Sequence, residues 1–180
     1  MLYLASSSPS RVALLKEANI AFEQIIVDYD ESLAIKDNPN SYVQKTVLEK
    51  ERQFFAKHPD LKNVLLADST VCAQNTILTK AKNDNEAFNM LNLQSGKSIS
   101  ILSAMILILE NKKIFNLSKC DLILDKFNPQ DMQEYIDSKS YEGKAGAVMC
   151  EGFHKKYIKK IIGHQSTALG LNIELLKAFL

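Results

Sequence analysis

Two apolar runs of strand length, residues 99–109 and 114–124, are separated by only four residues, the polar segment 110–113. Because so short a connection leaves no room for a helix, the two runs are predicted to pair as an antiparallel hairpin. The first run contains two serines and is far shorter than the roughly 20 residues that cross a bilayer, so it does not predict a membrane protein. The pair therefore predicts a sheet within a globular fold.

Shorter strand-like and helix-like segments alternate through the rest of the chain. Capping residues, prolines and apolar residues at helical spacing predict helices that begin at Pro9 and cover 38–58, 84–93, 128–137 and 173–179. Apolar and β-branched runs predict further strands at 2–5, 21–27, 63–72, 145–150 and 156–162. With no linker or low-complexity segment in between, the sequence predicts one α/β domain over residues 1–180 with a mixed sheet.

The charge of the chain is balanced, because 22 Lys and Arg oppose 21 Asp and Glu. This balance provides no large field for holding nucleic acid or an anionic membrane. The N-terminus lacks the basic and long apolar regions of a signal peptide, and the three cysteines have no Cys-x-x-Cys spacing. We therefore expect a cytoplasmic protein that binds neither nucleic acid nor membrane, with reduced cysteines packed as small apolar residues.

A turn rich in serine, Ser-Ser-Ser-Pro-Ser-Arg at residues 6–11, lies between the first predicted strand and the first predicted helix. Backbone N–H groups at the helix N-terminus, the hydroxyls and the guanidinium would converge there on an anion. We therefore predict that Ser6, Ser8, Ser10 and Arg11 bind phosphate. Ordinary helix capping is the alternative, and it is the commoner use of a serine in this position.

Acidic residues follow two of the predicted strands. Asp28, Asp30 and Glu31 come after the second strand, and Asp68 is predicted at a strand end, where the buried-type stretch 63–68 stops and residues 69–72 continue it. Carboxylates from separate loops can hold a hard divalent cation that neutralises polyphosphate, while one of them takes a proton from water. For each acid taken alone, the alternative is a solvated loop residue.

The other titratable residues are less informative on their own. Lys50, Lys80 and Lys144 are ordinary surface candidates in a lysine-rich chain, and the basic run 154–160 fits the wet face of an edge strand. The three histidines have neither metal-ligand spacing nor an obvious serine or cysteine partner, so we assign them no function.

Taken in order, these segments resemble one protein family. The matching segments are LASSSPSRVALL at 4–15, DE at 30–31, EK at 49–50, ADSTV at 67–71, K at 80, QSG at 94–96, KAGA at 144–147, EG at 151–152 and GL at 170–171. They are similar to the motifs of the Maf proteins, which are nucleoside triphosphate pyrophosphatases also called septum-formation inhibitors. The resemblance covers practically the whole chain.

The resemblance implies an elongated, bent mixed sheet flanked by helices, with two lobes around a nucleotide cleft. It also implies hydrolysis of a nucleoside triphosphate to the monophosphate and pyrophosphate, with a divalent cation such as Mg²⁺ or Mn²⁺. By position, Asp68 matches the family's general base, and Glu31 and Asp68 match acids near the metal. Arg11, Lys50 and Lys80 match residues that contact phosphate, and a homodimer is a further expectation from the family.

Four positions depart from the usual pattern of the family, and one of them is Ala81, which replaces a frequent proline after Lys80. Ser10 stands where the motif commonly has an arginine, and Ser69 stands where many members have threonine, which keeps a hydroxyl for the substrate. Glu151 stands where members that act on dTTP and UTP usually carry glutamine. A carboxylate offers only acceptors, which suits the N1–H and N2–H₂ donors of guanine, so Glu151 favours a guanine-type substrate if it faces the base. Glu151 together with the missing arginine at Ser10 also resembles the members of the family that act on 7-methyl-GTP, which implies a modified or guanine-type substrate.

Alternatives to this reading stay open at the level of sequence. Glu151 could pair with a nearby lysine and not meet the base, and the substrate could be dTTP, UTP or a broader set. A second class of function is a nucleotide-binding regulator of septum formation with little turnover, acting in cell-division arrest. Removal of modified or surplus triphosphates from the nucleotide pool is the role expected of the enzyme.

Overall fold

A computed structural model describes residues 1–30 and 38–180 of the chain, so Glu31 lies outside the described residues. The described elements, in chain order, are β1 (Leu2–Leu4), α1 (Pro9–Glu17), β2 (Phe22–Gln24), α2 (Pro39–Lys57), β3 (Val64–Ala73), β4 (Thr76–Leu78), α3 (Asp84–Gln94), β5 (Ser98–Ile108), β6 (Lys113–Leu124), α4 (Pro129–Asp137), a 3₁₀ helix (Phe153–Tyr157), β7 (Ile158–Ile162), α5 (Gln165–Ala168) and α6 (Ile173–Lys177). None of the described helices is long and apolar enough to cross a membrane.

The described strands form one open mixed sheet in the order β2-β1-β3-β5-β6-β7, and β4 is added beside β3. β1 is parallel to β2 and β3, whereas the remaining pairs are antiparallel. The predicted hairpin is confirmed as β5 and β6, which pair from Ser98 opposite Ile123 to Ile108 opposite Lys113. The predicted α/β class with a mixed sheet flanked by helices is therefore confirmed.

One edge of β3 is open along the middle of the strand. On that edge β1 pairs with Val64 and Leu65, and β4 pairs with the last three residues of β3. No described strand pairs with residues 66–70 on this edge, although β5 pairs with all ten residues of β3 on the other. The gap leaves room for loops to approach the middle of β3 from both sides.

Buried apolar side chains of the described residues form three clusters. Leu65 packs in the cluster that α1 and α6 cover, whereas Leu66 packs in the cluster that α2 covers. The third cluster surrounds the far end of β3 under α3 and α4, so the open stretch of β3 lies between two lobes. Because successive strand side chains point to opposite faces, Asp68 shares the face of Leu66 and Ser69 shares the face of Leu65.

Several local predictions need correction. The described residues 145–150 do not form a strand, because Gly146 and Ala147 have φ values of 60° and 55° and only one bridge, between Lys80 and Ala145, forms there. Asp68 is not at a strand end, because β5 supplies pairing partners that carry β3 on to Ala73. The strand predicted at 156–162 begins at Ile158, after the 3₁₀ helix, and neither β4 nor α5 was predicted from the sequence.

Candidate active site

A cavity of about 540 Å³ opens at the unpaired stretch of β3. Every described residue that the sequence predicted as catalytic or substrate-binding lines it: Ser6, Ser8, Ser10, Arg11, Lys50, Asp68, Ser69, Lys80 and Glu151. The serine turn (residues 6–11) forms one side, and the far wall (residues 142–151) contributes most of the opposite side. Asp28 and Lys144 also line the cavity, while Asp30 is not among the described lining residues.

The serine turn is built by helix capping. Ser8 is the N-cap of α1, where its hydroxyl accepts the Arg11 N–H at 3.5 Å, and Pro9 occupies the first helical position, where its missing N–H costs nothing. The hydroxyl of Ser6 accepts the Ser8 N–H at 3.2 Å. Ordinary capping by Ser8 is therefore observed, and the same turn lines the cavity.

Arg11 is buried and links three parts of the chain. Its Nε donates to the Gly170 carbonyl oxygen at 2.9 Å. Its two terminal nitrogens donate to the hydroxyls of Ser6 and Ser69, each at 3.1 Å. Because a guanidinium is planar and presents its donors in a rigid fork, these acceptors fix its orientation at the edge of the cavity.

Two of the groups that support Arg11 were not predicted from the sequence. Gly170 has a φ of +105°, and a Cβ at this position would lie 3.4 Å from the Ser69 hydroxyl and 3.6 Å from Arg11 Nε. The Ser103 hydroxyl lies 2.8 Å from that of Ser69 and donates to the Thr167 carbonyl. The sequence indicates Ser103 only as a serine inside a long apolar run, because a hydroxyl buried there needs a hydrogen-bond partner.

Asp68 forms a buried ion pair on the floor of the cavity. The Lys50 ammonium on α2 donates to Asp68 Oδ1 at 2.6 Å, and the two side chains are 10% and 11% exposed. Lys50 also lies 5.5 Å from the centre of the Tyr29 ring, and the Tyr29 hydroxyl donates to the Ala5 carbonyl at 3.2 Å. Burial raises the pKa of Tyr29 to about 12, so this side chain stays a neutral phenol near neutral pH.

The far wall places both charges and apolar atoms at the cavity. Lys144 Nζ lies 3.2 Å from Glu151 Oε1, and the Glu151 side chain is 44% exposed. The predicted alternative of a lysine partner for Glu151 is thus observed, on a carboxylate that also lines the cavity. Cys150, which precedes Glu151 in the sequence, is buried. Burial raises the pKa of its thiol to about 12, which makes it an unreactive apolar residue.

The described carboxylates do not build a closed metal cage. No group of three or more His, Cys, Asp or Glu side chains in the described part of the chain could hold a metal ion. Mg²⁺ is often bound by one or two carboxylates together with substrate phosphates and waters. Asp68 and Asp28 line the same cavity and supply oxygen donors of this type, so the described residues fit a cation that binds together with a phosphate-containing ligand.

Taken together, the cavity carries cationic side chains on both sides and a paired acid on its floor. Arg11 belongs to the side of the serine turn, Lys80 and Lys144 belong to the opposite side, and Lys50 holds Asp68 between them. Such an arrangement can bind an extended anion and place an oxygen base beside it.

Comparison with known proteins assigns the chain to a family. Residues 1–180 match the Maf-like protein family. A protein of Campylobacter jejuni named nucleoside triphosphate pyrophosphatase is 51% identical over the full length of both chains. Proteins with the same name from a Nitratiruptor species and from Helicobacter pylori are 38% and 37% identical, covering 97% and 96% of this chain and 95% and 91% of their own. A match over the full length and relatives at this identity establish that the chain belongs to the Maf-like protein family.

Proposed function

We propose that this protein hydrolyses nucleoside triphosphates to nucleoside monophosphates and pyrophosphate, as the names of its relatives state for them. The buried pair of Lys50 and Asp68 on the floor of the cavity is the observation that carries the proposal. A carboxylate held in a fixed direction, beside a cavity with cations on both sides, is what attack by water on a polyphosphate requires.

Asp68 is proposed as the general base. It accepts a proton from a water molecule whose oxygen attacks the α-phosphorus, while the bond from that phosphorus to the pyrophosphate oxygen breaks. The ammonium of Lys50 has three N–H donors, so it can keep its bond to Asp68 and direct another donor at a phosphate oxygen. Lys50 thus serves both to orient the base and to bind the substrate.

The serine turn is proposed to bind the triphosphate. Arg11 is already oriented by its three acceptors, and Ser8 and Ser10 line the cavity at the N-terminus of α1. Lys80 approaches from the opposite side, where its backbone pairs with Ala145. These donors would offset the negative charge that accumulates on the departing pyrophosphate.

A divalent cation is proposed to bind together with the substrate, held by Asp68 and Asp28 among the described residues. Glu31 remains a predicted ligand, since it lies outside the described residues. When bound, Mg²⁺ or Mn²⁺ would neutralise phosphate charge and so make the phosphorus easier to attack.

Glu151 is proposed to read the base. One of its oxygens contacts Lys144, but a carboxylate has about four lone-pair sites, so it keeps acceptor capacity for the donors of a guanine edge. This favours guanine-type or modified triphosphates such as 7-methyl-GTP, whose removal would keep them from polymerases.

Pyrophosphate release from a panel of triphosphates, with Mg²⁺, Mn²⁺ or a chelator, tests the reaction. Asp68→Asn should bind nucleotide but turn over more slowly by about 10² to 10⁴, the contribution typical of a general base. Asp125→Asn is a matched control, because Asp125 is an exposed carboxylate paired with Lys159 at 3.7 Å and lies outside the lining residues. Wild-type turnover in Asp68→Asn would remove the assignment of the base.

Binding of nucleotide without turnover by the wild-type protein, on every substrate and with every metal, would contradict the proposed enzyme. That outcome would support instead the alternative of a nucleotide-binding regulator of septum formation.

The base preference is tested by Glu151→Gln. A glutamine amide offers one donor and one acceptor, so we expect the ranking of substrates to shift from guanine-type toward dTTP and UTP. Glu142→Gln is the matched control, since Glu142 lines the same wall. An unchanged ranking of kcat/KM in Glu151→Gln would exclude a contact between Glu151 and the base.

A further inference from the structure

The far wall contains neither helix nor strand in the described structure, yet it positions Lys144 and Glu151 at the cavity. Irregular segments of this kind depend on side chains to satisfy their backbone groups. The wall bonds to the chain after β4, where the Gly146 N–H donates to the Thr79 carbonyl at 2.9 Å. Its other attachments include a residue far away in the sequence, Gln94 at the end of α3.

Two fully buried polar side chains close a loop of hydrogen bonds on this wall. The Met149 N–H donates to Nδ1 of His154 at 3.1 Å, and His154 Nε2 lies 2.9 Å from Oε1 of Gln94. Gln94 Nε2 donates in turn to the Gly146 carbonyl at 2.6 Å. Both His154 and Gln94 have 0% exposure. The loop therefore begins and ends on the same backbone segment, residues 146–149.

The direction of each hydrogen bond is fixed by chemistry. A backbone N–H can only donate, so Nδ1 of His154 must carry a lone pair. The neutral ring then holds its proton on Nε2 and donates it to the Gln94 carbonyl oxygen, which leaves the Gln94 amide to donate to Gly146. Burial lowers the pKa of His154 to about 3, which keeps the ring in this neutral form near neutral pH.

Packing contacts also hold the segment 146–149. The Tyr135 hydroxyl donates to the Ala147 carbonyl at 3.0 Å, and its ring stacks on Phe153 with centroids 4.6 Å apart. A Cβ on Gly146 would lie 2.9 Å from Cβ of Val71, so the wall approaches β3 as closely as glycine allows. The wall therefore has little freedom to move while the loop of hydrogen bonds is intact.

We infer that Gln94 and His154 are positioning residues that set the base preference of the cavity by fixing the far wall that carries Lys144 and Glu151. The inference rests on the proposed function. Neither residue is among the described residues that line the cavity, so both act through the backbone of residues 146–149. The serine turn and Arg11 have their own acceptors and do not share in this loop of hydrogen bonds.

Gln94→Leu tests the inference, because it keeps the volume and removes both hydrogen bonds of the side chain. We expect the ratio of kcat/KM between the best and the worst base to fall by about fivefold or more, the effect of about 1 kcal/mol. Inhibition by pyrophosphate should change less than this ratio, because Arg11 and the serine turn are held outside the loop, although Lys80 pairs with Ala145 of the wall. Ser95→Ala is the matched control, since its hydroxyl accepts the Phe127 N–H at 2.8 Å in the same lobe but does not touch the wall.

Hydrogen exchange gives a readout that does not depend on catalysis. In Gln94→Leu, amides of residues 142–151 should exchange faster by about tenfold, while those of residues 2–15 keep their wild-type rates. Faster exchange with an unchanged base ratio, or a wild-type exchange rate at 142–151, would overturn the inference. If the wild-type protein turns over no substrate, the proposed function is contradicted. The exchange rates would still show whether Gln94 fixes the wall, so the two failures can be told apart.

His154→Gln is the second variant, in case Gln94→Leu does not fold. A glutamine amide has a donor that can replace Nε2 toward Gln94, but its acceptor lies at the end of the side chain, farther from the backbone than the Nδ1 that accepts from Met149. We expect faster exchange at residues 147–150 and a smaller loss of base preference than in Gln94→Leu. Wild-type values of both quantities in His154→Gln would overturn the role of His154.

Discussion

The serine turn and the far wall line one cavity, but different contacts hold them. The turn is capped by its own residues, since Ser6 and Ser8 bond within residues 6–11 and Pro9 starts the helix, and Arg11 ties it to the rest of the fold. The wall has turns of its own, and buried side chains of Gln94 in α3 and His154 in the 3₁₀ helix bond to its residues 146–149.

This difference separates two parts of the proposed reaction. The phosphates are common to all nucleoside triphosphates, and the serine turn and Arg11, which would bind them, lie outside the hydrogen-bond loop of Gln94 and His154. The base differs between substrates, and the side that would read it is held by buried polar groups whose loss leaves partners unsatisfied, at about 1–3 kcal/mol each. Substitutions in this loop of hydrogen bonds should therefore change selectivity before they change phosphate binding.

Acidic pH should destabilise the far wall more than the serine turn. The pKa of folded His154 is held near 3, below its ordinary value of 6.5, so the unfolded chain binds more protons between these values. The contribution to stability is thus complete above pH 6.5 and is lost as the pH falls toward 3. We expect a loss of about 2 kcal/mol in the free energy of unfolding between about pH 7 and about pH 5 from this group, measured by urea denaturation.

The comparison of variants isolates this effect from the other titrating groups. His154→Gln should have a shallower dependence of unfolding free energy on pH, whatever its stability at neutral pH. Equal slopes in wild type and His154→Gln would mean that the pKa of His154 is the same in the folded and the unfolded protein.

The fold was predictable to the extent that local patterns determine it. Apolar runs of strand length identified β5 and β6, and the capping signals of Pro9 and Asn38 fixed the starts of α1 and α2. The segment 145–150 was wrongly predicted as a strand, because its apolar residues pack in turns with positive φ against Val71. Its conformation depends on Gln94, and such a distant partner leaves no local pattern.

The residues of the candidate site were predictable for a related reason. Local sequence identifies serines before a proline, an arginine in the first turn of a helix and an acid in an apolar strand. The family resemblance indicated that these residues belong to one site. Ser103 and the carbonyl of Gly170 were missed because they act on Arg11 or Ser69 through the tertiary fold. His154 was given no function, since its partners Met149 and Gln94 are a backbone N–H and an ordinary amide.

Two glycine substitutions distinguish the two sides of the cavity. Gly170→Ala places an alanine at a φ of +105°, which should cost about 1–3 kcal/mol in the free energy of unfolding. It should also weaken inhibition by pyrophosphate, because the strained backbone shifts the carbonyl that accepts from Arg11. Unfolding in urea and inhibition by pyrophosphate measure the two effects.

Gly143→Ala is the matched substitution on the far wall. Its φ of +73° also disfavours alanine, but a Cβ there would have no described atom within 4 Å, so the cost should be about 1 kcal/mol. Inhibition by pyrophosphate should be unchanged in Gly143→Ala, since that residue makes no described contact with Arg11 or the serine turn. If both variants weakened this inhibition equally, the two sides of the cavity would be coupled, and the separation between phosphate binding and base selection would be wrong.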